Sequence, residues 1–66
     1  MVYYIEYAKV SPAVLDMVVY TACPIAYVMD YPVEGTDDIF EAVVCFWEEP
    51  TTLDKCKVEK ALAPYI

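Results

Sequence analysis

The residues of this chain with chemical potential are carboxylates, thiols and tyrosines, and their spacing argues against most catalysis. Asp37-Asp38 and Glu48-Glu49 are paired acids. Neighbouring residues on a strand point to opposite faces, so neither pair would converge on one substrate. Glycoside hydrolysis needs two carboxylates about 5–9 Å apart across a cleft, and a chain of 66 residues offers little wall for one. Cys23, Cys45 and Cys56 are candidate nucleophiles, but the chain contains no histidine to act as their base. Acidic surroundings also raise a thiol's pKa rather than activate it. The cysteines lie 22 and 11 residues apart, which matches no metal or disulfide framework. They read as buried free thiols of a reducing compartment. No catalytic residue, metal or cofactor is expected, and the chain reads as a non-enzyme.

What remains is charge, and its position is more informative than its total. Eleven acids face four lysines, for a net charge of −7, with no arginine, asparagine or glutamine. A nucleic-acid binder of ordinary type needs a basic face, so direct nucleic-acid binding is excluded. From Val10 to Asp54 there are nine acids and no base: Asp16, Asp30, Glu34, Asp37, Asp38, Glu41, Glu48, Glu49 and Asp54. Glu6 and Lys9 balance before this stretch, and Lys55, Lys57 and Lys60 outnumber Glu59 after it. Unrelieved like charge destabilises a compact chain, although acidic loops can also serve only solubility. A cationic partner would relieve the repulsion, because carboxylates accept bidentate hydrogen bonds from arginine. Aromatic faces attract guanidinium and ammonium groups as well, and Tyr27, Tyr31, Phe40 and Trp47 are interleaved with the acids. Phe40 and Phe46 read as core; Tyr31, beside Pro32 and the acidic turn, reads as interface. The candidate partner-binding residues are therefore Asp30, Tyr31, Glu34, Asp37, Asp38, Glu41, Glu48 and Glu49.

These side chains must be placed by a single small domain spanning residues 1–66, 61% of it hydrophobic and thus too apolar for a disordered tail. The segment Val2–Val10 has strand composition, with Tyr3, Ile5 and Tyr7 alternating against Val2, Tyr4 and Ala8. Apolar groups on both sides suggest a central or doubly covered strand. Ser11-Pro12 starts a helix with Val14, Val18 and Ala22 at helical spacing and Leu15 and Val19 beside them; Pro24 ends it. Ile25–Tyr31 reads as a strand, followed by a turn across Pro32–Asp38 that holds the only glycine, Gly35. Residues Ile39–Glu48 fit a strand, or a helix capped by Asp38 and Glu41; the β-branched and aromatic content and the Gly35 turn favour a hairpin. Thr51 and Thr52 can cap a last helix over Leu53–Ala63, with Leu53, Cys56, Ala61 and Leu62 as a rough stripe, against a competing strand reading. The expected fold is α+β: a small antiparallel sheet with one or two helices on one face, in the order β-α-β-β-α.

A domain of this size buries only about 60% of the surface its unfolded chain exposes. Its seven tyrosines, each a flat ring with a polar tip, therefore suggest a contact surface. The alternative is a structural or assembly subunit, such as a homodimer or virion component, or a regulatory module for another basic protein. The longest uncharged run, Met17–Met29, is interrupted by Pro24 and falls short of the roughly 20 residues of a membrane span. No cationic segment precedes an apolar stretch at the N-terminus. A soluble protein of the host-cell cytoplasm, monomeric or dimeric and without membrane contact, is the expectation.

Length, charge, the acid-only stretch from Asp16 to Asp54 and the lone-domain layout together resemble the small acidic proteins of phages and mobile elements, especially anti-CRISPR proteins, some of which act as DNA mimics. That group shares no fold or motif, so the resemblance is one of composition and transfers no residue role. It implies an inhibitor whose acidic surface occupies a basic nucleic-acid cleft of a CRISPR effector and blocks DNA binding, since such effectors hold nucleic acid in positively charged channels.

Overall fold

The computed structural model describes residues 1–66 throughout. The chain runs β1 (Val2–Glu6), α1 (Pro12–Ala22), β2 (Ala26–Pro32), β3 (Ile39–Phe46), α2 (Thr52–Leu62) and a closing 3-10 turn (Ala63–Tyr65). The strands form one antiparallel sheet in the order β1-β3-β2. The α+β fold with helices on one face is as the sequence suggests, and Ile39–Phe46 is a strand rather than a helix. Its fate follows from the turn before it. The Thr36 amide donates to the Val33 carbonyl at 3.2 Å, and Gly35 sits at φ 87°. That is the third position of a turn requiring positive φ, which glycine adopts without strain. The turn reverses the chain and delivers Ile39–Phe46 alongside β2.

Both helices begin with side-chain caps. The Val14 amide donates to Ser11 Oγ at 3.3 Å, with Pro12 in the first helical turn. At α2, the Asp54 amide donates to Thr51 Oγ1 at 3.1 Å and the Thr51 amide donates to Asp54 Oδ2 at 2.9 Å. This reciprocal pair is a capping box.

One cluster forms the core: Ile5, Phe40, Ala42, Val44 and Ala26 from the sheet, Leu15, Val19 and Cys23 from α1 and its end, Val58 and Leu62 from α2, and Val10. Register puts the sheet members on one face, where Ile5 opposes Phe40, Tyr3 opposes Ala42, Val28 opposes Val44 and Ala26 opposes Phe46. Both helices lie over that face. Tyr7 closes its rim, its ring 4.9 Å from that of Phe40. Phe40 is fully buried, as expected; Phe46 is half-buried against the cluster.

Four expectations need correction. β1 is not central: β3 is, because it alone has a neighbour on each side. β1 is covered on one face only and stops at Glu6, where Tyr7–Lys9 turn toward α1. The inward stripe of α1 runs through Leu15 and Val19, leaving Val14 exposed and Val18 half-buried. That of α2 runs through Val58 and Leu62, one helical turn apart, and leaves Leu53 64% exposed. Lastly, the cysteines are free, but Cys23 alone is fully buried; Cys45 is half-buried and Cys56 is exposed.

Candidate functional site

The second face of the sheet has no layer over it. Val2, Tyr4 and Glu6 of β1, Ile39, Glu41, Val43 and Cys45 of β3, and Tyr27, Met29 and Tyr31 of β2 alternate with the core residues and share that face. An antiparallel sheet with one wet face ordinarily carries polar residues there. Here the face is aromatic, aliphatic and sulfur-bearing, with Glu6 and Glu41 as its charges. Val2 is 53% exposed and Tyr4 60%. Trp47, just past β3, is 72% exposed yet stacks on Tyr27 with ring centroids 4.1 Å apart. Desolvation, then the charge and hydrogen bonding of the Cys45 thiol, push the Tyr27 hydroxyl pKa up. Such an apolar, uncovered surface is unusual on the solvent side of a small antiparallel sheet.

Cross-strand pairing arranges the face in rows. Val2, Val43 and Met29 form one; Tyr4, Glu41 and Tyr31 form the next. Tyr31 leans along its strand, its hydroxyl 3.8 Å from Met29 Sδ. Glu41 is half-buried and makes no ion pair or side-chain hydrogen bond within the protein. Lys9 and Glu6, 3.5 Å apart, are the only ion pair in the molecule.

The eight candidate residues occupy two places. Asp30, Tyr31, Glu34, Asp37 and Asp38, all exposed, gather at the hairpin end, with Glu41 on the adjoining part of the open face. Asp30 is in register with Ala42, on the helical side of the sheet. The fold also brings the end of β1 to this region, where the Tyr7 amide donates to the Asp38 carbonyl at 2.9 Å. Glu48 and Glu49 follow β3 at the other end of a molecule whose long dimension is 35 Å. The acid-only stretch therefore makes two acidic ends joined by the open face, rather than one patch.

Two of its nine acids are used inside the fold. Asp16 on α1 reaches across to β2, where the Val28 amide donates to Oδ1 at 2.8 Å. That occupies a donor on an otherwise open strand edge. Asp54 closes the α2 capping box, and hydrogen bonding from the Thr51 backbone amide, then from its side chain, holds its carboxyl below the ordinary 3.8. Lys9, two residues beyond Tyr7, comes toward the hairpin end with β1 and pairs with Glu6; the other three lysines lie elsewhere. Lys55, Lys57 and Lys60 are exposed on α2 in the helical layer, and only Lys57 comes near an acid of the stretch, helping to lower Asp54. Tyr3, on the covered face, is pushed up by burial and then by Glu59.

Tyr4, Met29 and Val43 belong to the site and escaped the charge pattern. The strand alternation of Tyr27, Met29 and Tyr31 was the available signal. No helix is long and apolar enough to cross a membrane. No protein-family model, curated protein or solved structure matches the chain.

Proposed function

We propose that this protein is a non-enzymatic inhibitor that fits its acidic hairpin end and open sheet face onto an Arg/Lys-rich, nucleic-acid-binding protein surface. The DNA-binding channel of a CRISPR effector in a phage host is the target that composition favours, and blockade there is by competition with DNA. The observation that carries this reading is the segregation of charge. Asp30, Glu34, Asp37 and Asp38 at the hairpin end, and Glu41 on the adjoining open face, form no ion pair, while three of the four lysines sit on α2 in the helical layer. Such an arrangement gains nothing within the monomer and is relieved by a cationic partner.

The test is displacement of target duplex from purified effector complexes of several CRISPR types, followed by gel shift. The wild-type chain is expected to displace DNA from at least one type. Reversing Asp37, Asp38 and Glu41 to lysine slows association and weakens the effect. Unchanged DNA binding by every effector, or full inhibition by the triple variant, contradicts the proposal.

A second reading, a homodimeric or assembly subunit, is favoured by the outer side of α1. Val14, Met17, Val18 and Thr21 line a shallow depression of about 310 Å³ there, and Met17 is 68% exposed. Light scattering separates the readings: a stable high-order oligomer favours assembly.

A further inference from the structure

The open face carries two glutamates, and their situations differ. Glu6 has its cation, Lys9, at 3.5 Å. Glu41 has none, although it stands on the central strand with a tyrosine directly opposite on each flank, Tyr4 on β1 and Tyr31 on β2. We propose that the row Tyr4–Glu41–Tyr31 is a slot for one arginine side chain of the partner protein, a proposal that rests on the cationic-partner reading above.

The dimensions suit a flat cation. Adjacent strands are about 4.8 Å apart, so the backbones carrying Tyr4 and Tyr31 are separated by roughly 9.6 Å. A planar group in contact with a ring on both sides needs roughly 7–8 Å; Tyr31 leans toward Met29 on its own strand, so its ring turns about its side-chain torsions to close on the bound group. A guanidinium there places its fork of N–H donors on the Glu41 carboxylate, a planar bidentate match that an ammonium cannot make. Its faces meet the tyrosine rings, which attract cations. The neighbouring row, Val2–Val43–Met29, offers an apolar floor for the methylene stem. The hairpin acids supply long-range attraction, and Glu41 supplies the contact.

The experiment titrates the full-length, isotope-labelled chain with three acetylated, amidated tripeptides, Gly-Arg-Gly, Gly-Lys-Gly and Gly-citrulline-Gly, followed by NMR. Saturable shifts of the Tyr4, Glu41 and Tyr31 signals with the arginine peptide are expected. The lysine peptide should bind several-fold more weakly, and neutral citrulline should leave the spectrum unchanged. Glu41→Gln, which keeps shape and removes charge, should weaken arginine binding about tenfold. Tyr31→Leu should weaken it less. Asp37→Asn with Asp38→Asn should leave the slot occupied. Equal binding of arginine and lysine, shifts confined to the hairpin turn, or no shift with any peptide would overturn the slot. The DNA-displacement assay decides the broader reading separately, because hairpin charge can act there without the slot.

Discussion

The two faces of the sheet are cut from the same three strands by simple alternation, yet they are finished differently. On one, Ile5, Phe40, Ala42 and Val44 disappear beneath α1 and α2. On the other, Tyr4, Val43, Met29 and Tyr31 have comparable apolar bulk and no layer above them. Apolar area removed from water stabilises a fold by about 25 cal/mol per Å², and the open face leaves part of that gain unclaimed by the monomer. The difference separates residues that hold the domain together from residues available to hold something else.

Truncation is the strongest way to break this comparison. Phe40→Ala should cost about 3–5 kcal/mol, enough to unfold much of a domain this small in a urea titration. Met29→Ala on the open face should cost less than about 1 kcal/mol. If both substitutions were equally damaging, a second layer would have to cover the open face in solution. Next in size is Asp16→Ala, which strips the Val28 amide of its acceptor on the β2 edge. A loss of about 1–2 kcal/mol is expected, together with a rise in self-association visible by light scattering as that edge becomes available. Thr51→Ala removes the α2 cap and should cost about 1 kcal/mol by the same denaturation measurement.

The smallest effect concerns pH. Asp54 has a folded pKa below its ordinary 3.8, so its contribution is complete above that value. It declines as pH falls through the folded pKa, because the unfolded chain then binds the proton more readily. Thermal unfolding should therefore show a loss of stability on acidification below about pH 4 that Asp54→Asn reduces. The double variant Asp37→Asn, Asp38→Asn, which changes no group of the α2 cap, should leave that loss in place.

Much of this arrangement is legible in the residues, and the gaps have physical causes. The hairpin follows from Gly35 and the β-branched run after it, both local features. Thr51 and Asp54 stand at capping-box spacing and were readable as such. The rotation of the two helical stripes was less so, because α1 is apolar nearly all round: Val14 and Leu15 are equally good core candidates until the sheet selects one. Strand order lies outside local pattern altogether, and with it the knowledge that β1 is an edge and that one face stays open. Asp16 likewise reads as one more free acid until a contact with Val28, twelve residues away, gives it a structural task. Tyr4 escaped because charge patterning points to the hairpin, whereas the register that sets it opposite Glu41 is a property of the assembled sheet.

The central claim is that the unpaired carboxylates of the hairpin end, with Glu41 beside them, are what a basic partner grips. The direct measurement is displacement of DNA from the responsive effector complex as ionic strength rises. The Debye length falls from about 10 Å at 0.1 M salt to about 3 Å at 1 M, so the protein's apparent affinity should fall steeply across that range, and the Asp37/Asp38/Glu41 reversal should flatten the dependence. An affinity that holds unchanged to about 1 M salt would contradict the claim and assign binding to apolar surface alone.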